Sequence, residues 1–205
     1  MKTRVAPRVA VVDAGGANLG SVCYALERLG VAAVISRDAD ELVDAERIVL
    51  PGVGAAAPAM ALLCERGFDI VLRDCSVPVL GICLGMQLFY EASEEGNVSC
   101  LGILAGCVQR MQPAAGLRLP HMGWNALQMV NADSPLFDGI DDGAEAYFVH
   151  GYAAPVGEDT VAMATHGATF AAVVRQGKYC GVQFHPERSA AVGARLLDNF
   201  LRWQP

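Results

Sequence analysis

Three short segments of the chain carry groups that together could cut an amide bond. In Val79-Leu80-Gly81-Ile82-Cys83-Leu84-Gly85-Met86-Gln87 an apolar run leads into G-x-C-x-G and then into a helix-forming stretch. This is the pattern of a nucleophile elbow with a thiol in place of a hydroxyl. Glycines two before and two after Cys83 remove Cβ atoms that would collide with a neighbouring strand and helix. A helix start offers free N–H groups and a dipole that favour the thiolate. Taken alone, G-x-C-x-G fits a buried structural cysteine equally well.

The second segment, Gly181-Val182-Gln183-Phe184-His185-Pro186-Glu187, supplies a base. Alternate side chains of an extended chain share a side, so His185 and Glu187 are expected to project together from a strand end. In open α/β sheets ligands bind at that carboxyl edge. A carboxylate on one imidazole nitrogen fixes the tautomer and leaves the other nitrogen for the thiol. An isolated H-x-E is more often a solvated strand end; beside the elbow it reads as a Cys-His-Glu triad. Attack on an amide also builds an oxyanion that needs preorganised donors. The N–H of Leu84 is one. The loop Pro51-Gly52-Val53-Gly54 makes Gly52, Val53 and Gly54 candidates for another.

The elements that must position these groups alternate in the first half. Arg8 to Asp13, Ala32 to Ile35, Arg47 to Leu50 and Val77 to Ile82 read as strands. Leu19 to Leu29, Pro58 to Glu65 and the residues from Cys83 to about Ala92 read as helices. Apolar strands separated by helices imply a parallel sheet covered on both faces. In the second half Leu101 to Met111, Trp124 to Val130, Ala146 to Val149, Val161 to Thr165, Phe170 to Arg175 and Tyr179 to Phe184 are closely spaced strands, several expected antiparallel. A last helix spans about Ser189 to Trp203. The expected class is α/β, a mostly parallel central sheet flanked by helices with additional antiparallel strands. One domain over residues 1–205 is expected.

Composition excludes several functions. Although 53% of residues are hydrophobic, no apolar run reaches the roughly 18 to 20 residues of a membrane span. Lys2, Arg4 and Arg8 precede an apolar run that meets Asp13 too soon for a secretory signal, so a cytoplasmic protein is expected. With a net charge of −7 and scattered basic residues, nucleic-acid binding is disfavoured. The seven cysteines form no C-x₂₋₄-C pair, which argues against disulfides and zinc; neither a metal nor a cofactor is expected. Gly15-x-Ala17-x-x-Gly20 imitates a dinucleotide fingerprint, but Ala17 takes the place of the glycine that would meet the pyrophosphate.

PGVG, GICLGMQ and GVQFHPE, in this order, resemble the class I (triad) glutamine amidotransferases. Two further segments, Pro120-His121-Met122-Gly123-Trp124-Asn125 and Tyr147-Phe148-Val149-His150-Gly151-Tyr152, are similar to those of the glutaminase subunits of imidazole glycerol phosphate synthase. The opening Asp13-Ala14-Gly15-Gly16-Ala17-Asn18-Leu19-Gly20-Ser21-Val22 resembles the same subunits. The resemblance implies a flavodoxin-like fold and glutamine hydrolysis through a Cys83 thioester. It also implies a cyclase (barrel) subunit as partner, receiving ammonia for histidine biosynthesis. It assigns glutamine binding to Gln87 and to the backbone of Gly52, Val149, His150 and Gly151, and places Asn18, Trp124 and Arg188 at the partner interface. Ala14, Ala17, Gly151 and Arg188 stand where those subunits usually have Tyr, Gly, Ser and Lys; none belongs to the triad. His166 reads as a turn residue, and His121 and Trp124 as structural or interface residues. The alternatives are an amidotransferase subunit of another pathway and a stand-alone cysteine hydrolase.

Overall fold

The structure, a computed structural model, describes residues 7–16, 18–114 and 116–205. Lys2, Arg4 and Ala17 lie outside that range. The first half alternates as the apolar pattern requires: β1 (Val9–Val12), α1 (Leu19–Arg28), β2 (Ala33–Ser36), β3 (Arg47–Gly52), α2 (Ala56–Glu65), α3 (Phe68–Asp74), β4 (Val79–Cys83) and the one-turn α4 (Leu84–Gln87). The second half runs through β5 (Tyr90–Ser93), β6 (Val98–Ser99), β7 (Leu104–Arg110), β8 (His121–Ala126), β9 (Gln128–Met129), β10 (Glu145–His150), β11 (Tyr152–Ala153), β12 (Thr160–His166), β13 (Ala168–Gln176) and β14 (Tyr179–Val182), and closes on α5 (Ala190–Arg202).

The large sheet has the order β2-β1-β3-β4-β14-β13-β12-β9. From β2 to β14 its neighbours are parallel; β13, β12 and β9 extend it antiparallel. Side-chain alternation gives each parallel strand two apolar faces. Val9 and Val11 join Val22 and Leu26 of α1 and Leu196 and Phe200 of α5 on one side. Ala10 and Val12 join Leu63 of α2 and Phe68 and Leu72 of α3 on the other. Two smaller sheets, β10-β8 and β11-β7-β5-β6, stand beside it. Among the described residues no helix is long and apolar enough to cross a membrane.

Three sequence expectations change. The helix after Cys83 stops at Gln87, and Tyr90 to Ser93 is a strand that pairs with β6 and β7. Every residue from Leu84 to Tyr90 is buried, and an apolar run buried all round has no periodicity to distinguish helix from strand. Trp124 to Val130 divides between β8 and β9 around Leu127. The short α3 follows α2 after Gly67 at φ +70°, a left-handed break that the local pattern did not reveal.

Candidate active site

Cys83 ends β4 and begins α4, with φ +53° and ψ −108°. A non-glycine residue held at positive φ is strained, and tight packing imposes the turn. A Cβ on Gly85 would lie 1.8 Å from the carbonyl oxygen of Leu50 in β3, and one on Gly81 would lie 2.7 Å from the backbone nitrogen of Met86. Both glycines of the elbow are thus required for the contacts expected of them. Because α4 is a single turn, what favours an anion here is the unpaired N–H groups of that turn, Leu84 first, more than an extended dipole.

Gly52 stands opposite Cys83 in the β3–β4 register. A Cβ there would come within 2.8 Å of the Leu84 Cβ, so glycine lets the end of β3 close on the elbow. Beyond it Gly54 adopts φ +106°, a region open to glycine and strained for other residues. Val53, Gly54, Cys83, Leu84 and His185 face a cavity of about 180 Å³, whose far wall is Gln87, Glu95 and the segment Val149 to Tyr152. A larger hollow of about 530 Å³ over Arg110 to Pro113 adjoins through Gly151 and Tyr152 but reaches neither Cys83 nor His185. The smaller cavity is therefore the one with the chemistry.

His185 and Glu187 meet, though not as alternate residues of an extended strand. β14 ends at Val182, and His185 caps a 3-10 turn over Pro186–Arg188. Proline's fixed φ suits that first turn position, and the turn brings Glu187 Oε1 to 2.9 Å from His185 Nδ1. Three contacts hold the turn. The backbone N–H of His185 donates to the Tyr147 carbonyl at 2.9 Å. Ser189 Oγ donates to the His185 carbonyl at 2.7 Å and accepts from the Tyr147 N–H at 2.9 Å. Gly193 of α5 lets the helix press on Pro186, whose carbonyl oxygen would be 1.9 Å from any Cβ there. The Glu187 side chain is fully buried, and Asn18 Nδ2 donates to its Oε1 at 2.5 Å. Asn18, expected at a partner face, thus stands behind the Glu187 carboxylate.

The electrostatics follow. Burial alone pulls the His185 imidazole down, but hydrogen bonds to Cys83 and Glu187, and their charges, push it up to about 10. Burial would raise Glu187; the hydrogen bond and charge of His185, with the Asn18 amide, hold it below the ordinary carboxylate value. His121 and His150 move the other way. Burial, with the charge of His166, lowers His121 to about 4, and burial, with the charges of His121, His166 and His185, lowers His150 to about 3.

These shifts fix a sign. Below their ordinary value of 6.5 His121 and His150 bind protons in the unfolded chain but not in the fold, so stability falls as pH drops. The stabilising contribution of His185 is fully present below 6.5 and is lost as pH rises through about 10. Denaturation midpoints are therefore expected to peak near pH 6.5 and to fall more steeply on the acid side, where two histidines act against one. Urea titrations from pH 4.5 to 9 measure this, and equal midpoints at pH 5 and 6.5 would exclude it.

Of the other expected residues, Gln87 is buried rather than on a helix surface: its Nε2 donates to the Tyr152 carbonyl and to Gln183 Oε1, both at 2.9 Å. Val149, His150 and Gly151 line the cavity. Trp124, 51% exposed, lies edge-on to Tyr147, and Met122 is 64% exposed on the same strand; Arg188 is also exposed. His166 ends β12 and stacks on His121 with ring centroids 4.1 Å apart. Sequence reasoning missed Glu95, Ser189 and the role of Asn18. Glu95 lies between β5 and β6 and accepts from the Ala56 N–H at the start of α2. Nothing in its local pattern sets it apart from a solvated acid.

Comparison with known proteins agrees with this geometry. Residues 10–203 match the glutamine amidotransferase class-I family. The chain is 61% identical over 193 residues to "Imidazole glycerol phosphate synthase subunit HisH" of Xanthomonas axonopodis pv. citri (strain 306), covering 94% of this chain and 96% of that one. It is 56% identical, with the same coverage, to the HisH subunit of Xylella fastidiosa (strain Temecula1 / ATCC 700964). A crystal structure of a glutamine amidotransferase, 24% identical, shares the fold with a TM-score of 0.73 over 95% of this chain and 97% of its own. With an elbow thiol and a paired imidazole on one cavity, and with family similarity from end to end, the chain belongs to the class-I glutamine amidotransferase family of enzymes, among its HisH subunits.

Proposed function

We propose that this chain is the glutaminase subunit of an imidazole glycerol phosphate synthase, hydrolysing glutamine and passing the ammonia to a cyclase barrel. The observation that carries it is the convergence of Cys83, the Val53-Gly54 loop and His185 on one cavity, with Glu187 behind the imidazole.

In the first half-reaction the Cys83 thiolate attacks the carboxamide carbon of glutamine, and the oxygen takes the electron pair. The N–H of Leu84 and one from the Val53-Gly54 loop hold that oxyanion. The C–N bond then breaks, His185 protonates the leaving nitrogen, and ammonia departs from a glutamyl thioester. In the second, His185 takes a proton from water as it attacks the thioester, the C–S bond breaks, glutamate leaves and the Cys83 thiolate is restored beside the protonated imidazole. Glu187 holds the tautomer and balances the imidazolium.

The same cavity offers contacts for the amino-acid end of glutamine. Both N–H groups of Gln87 are engaged, so its Oε1 is what it presents to a ligand. Glu95 adds a carboxylate suited to an α-ammonium group, and the backbone from Val149 to Gly151 can take the α-carboxylate. Trp124 and Met122, with Arg188 at the triad turn, form the rim on which the barrel docks, and a cation at Arg188 fits an acidic residue on that barrel.

The test is covalent. Incubation with a diazo-ketone glutamine analogue is expected to add one label, which peptide mapping places on Cys83 although six other cysteines are present. A label on another cysteine, or no glutamate formed from glutamine even with the barrel added, would overturn the proposal.

A further inference from the structure

One fully buried polar side chain next to the nucleophile has no task in this mechanism. Gln183, just past β14, has no exposed surface, and its Nε2 lies 3.6 Å from Cys83 Sγ. Which end of an amide faces a neighbour is decided by the hydrogen bonds around it, and here they form an unbroken string. The Tyr152 carbonyl, which can only accept, lies 2.9 Å from Gln87 Nε2 and 2.8 Å from His150 Nδ1. Gln87 must therefore turn its NH₂ toward Tyr152, and the same NH₂ meets Gln183 Oε1 at 2.9 Å. With its oxygen taken by Gln87, Gln183 has only N–H to offer the sulfur. The other branch is fixed from the same carbonyl. His150 carries its proton on Nδ1, so its Nε2 accepts from His121 Nδ1 at 3.1 Å.

The sulfur's other close polar neighbour sharpens the point. As a thiol, Cys83 donates to the Val149 carbonyl at 3.7 Å. Once ionised it has no proton to give, and that carbonyl oxygen becomes an unfavourable neighbour. A thiolate in a buried site needs donors, and among the described residues the Gln183 amide is a side-chain donor in contact with the sulfur beside His185.

We propose that Gln183 is a positioning residue for the nucleophile: its carboxamide N–H holds the Cys83 sulfur facing His185 and favours the thiolate, and Gln87 locks the amide in that orientation. The inference rests on the glutaminase reading only for its consequence in turnover; the hydrogen bond itself is testable without glutamine.

The experiment follows iodoacetamide alkylation of the Cys83 peptide against pH by mass spectrometry, which separates it from the other cysteines. Gln183→Met keeps the length and removes the donor; Gln183→Glu keeps the shape and adds a repelling charge. In Gln183→Met the midpoint of the alkylation profile is expected to rise by about one to two pH units, the shift that loss of a hydrogen bond to a charged acceptor produces. Gln183→Glu should rise further. Turnover should fall about tenfold or more with little change in KM, because Gln183 does not line the substrate cavity. A folded Gln183→Met protein with an unchanged midpoint would overturn the proposal whatever its melting temperature, since a packing role alone leaves that midpoint in place. Should the variants not fold, the wild-type side-chain amide resonances of Gln183 must titrate with the midpoint of Cys83 alkylation; resonances that do not follow it also overturn the assignment. Glutamine turnover surviving in Cys83→Ala would remove the glutaminase reading and leave the alkylation result to stand or fall by itself.

Discussion

Cys83→Ala is expected to abolish glutamine hydrolysis while leaving the protein folded and at least as stable. The residue sits at φ +53°, a strain that alanine shares and does not add to, and the lost sulfur fills little of the core. His185→Ala should cost nearly as much, at least about 10⁴-fold, because a nucleophile and its base fail as a unit. Glu187→Gln should cost roughly ten to a hundred times less, since the base survives and only its charge partner and tautomer are disturbed. The buried glutamine amide would still meet Asn18 and His185, though with the wrong donor on one side. Single-turnover measurements of glutamate release, with circular dichroism as the fold control, give the ranking. Hydrolysis by Cys83→Ala within tenfold of wild type, or a Glu187→Gln variant more damaged than His185→Ala, would show the roles to be assigned wrongly.

The second large effect concerns regulation. Glutamine hydrolysis by the isolated chain is expected to be slow, and to rise when the barrel subunit carrying its ribonucleotide ligand is added. Ammonia released without an acceptor is protonated in water and lost to the reaction, so coupling requires a site that stays unproductive until the partner is ready. The Val53-Gly54 peptide is the element suited to this. Rotating it changes φ at Gly54, which already stands at +106° with nothing within 4 Å of where a Cβ would be. In one orientation an N–H faces the oxyanion and in the other a carbonyl does. One missing donor is worth about 3 to 4 kcal/mol, roughly 10² to 10³ in rate, which sets the expected activation. The partner acts by binding the productive orientation more tightly. Gly54→Ala disfavours one of the two backbone states, so it should shrink the ratio of activated to basal rate while leaving room for the side chain. Turnover measured for the chain alone, with barrel, and with barrel plus ligand decides the matter: a free chain at full speed would refute gating without touching the triad.

Much of this site was legible because local chemistry wrote it. The elbow needs glycine at positions 81 and 85 for contacts within its own turn and with the adjacent strand, so G-x-C-x-G is a local signature of a tertiary packing. The parallel half of the sheet was legible for a similar reason: strands buried on both faces must be apolar throughout, and β1 and β4 are. His185 and Glu187 were found by their types and spacing, but the expected geometry was wrong. Two residues apart they share a side in a strand, yet what joins them is a 3-10 turn begun by Pro186 and clamped by Ser189 and Gly193.

By itself, then, the sequence singled out the proposed nucleophile, its proposed base and carboxylate, the glycine loop beside them and the α/β order that brings their segments to one sheet edge. Each depends on interactions within a few residues or on a periodicity that burial enforces. Only the tertiary structure decided that Asn18, 169 positions from Glu187, steadies the carboxylate, that Glu95 enters the cavity, and that Gln87 and Gln183 meet across 96 positions behind the sulfur. A buried polar side chain is placed by partners far along the chain, and its own neighbours in sequence carry no trace of which donor or acceptor it will meet.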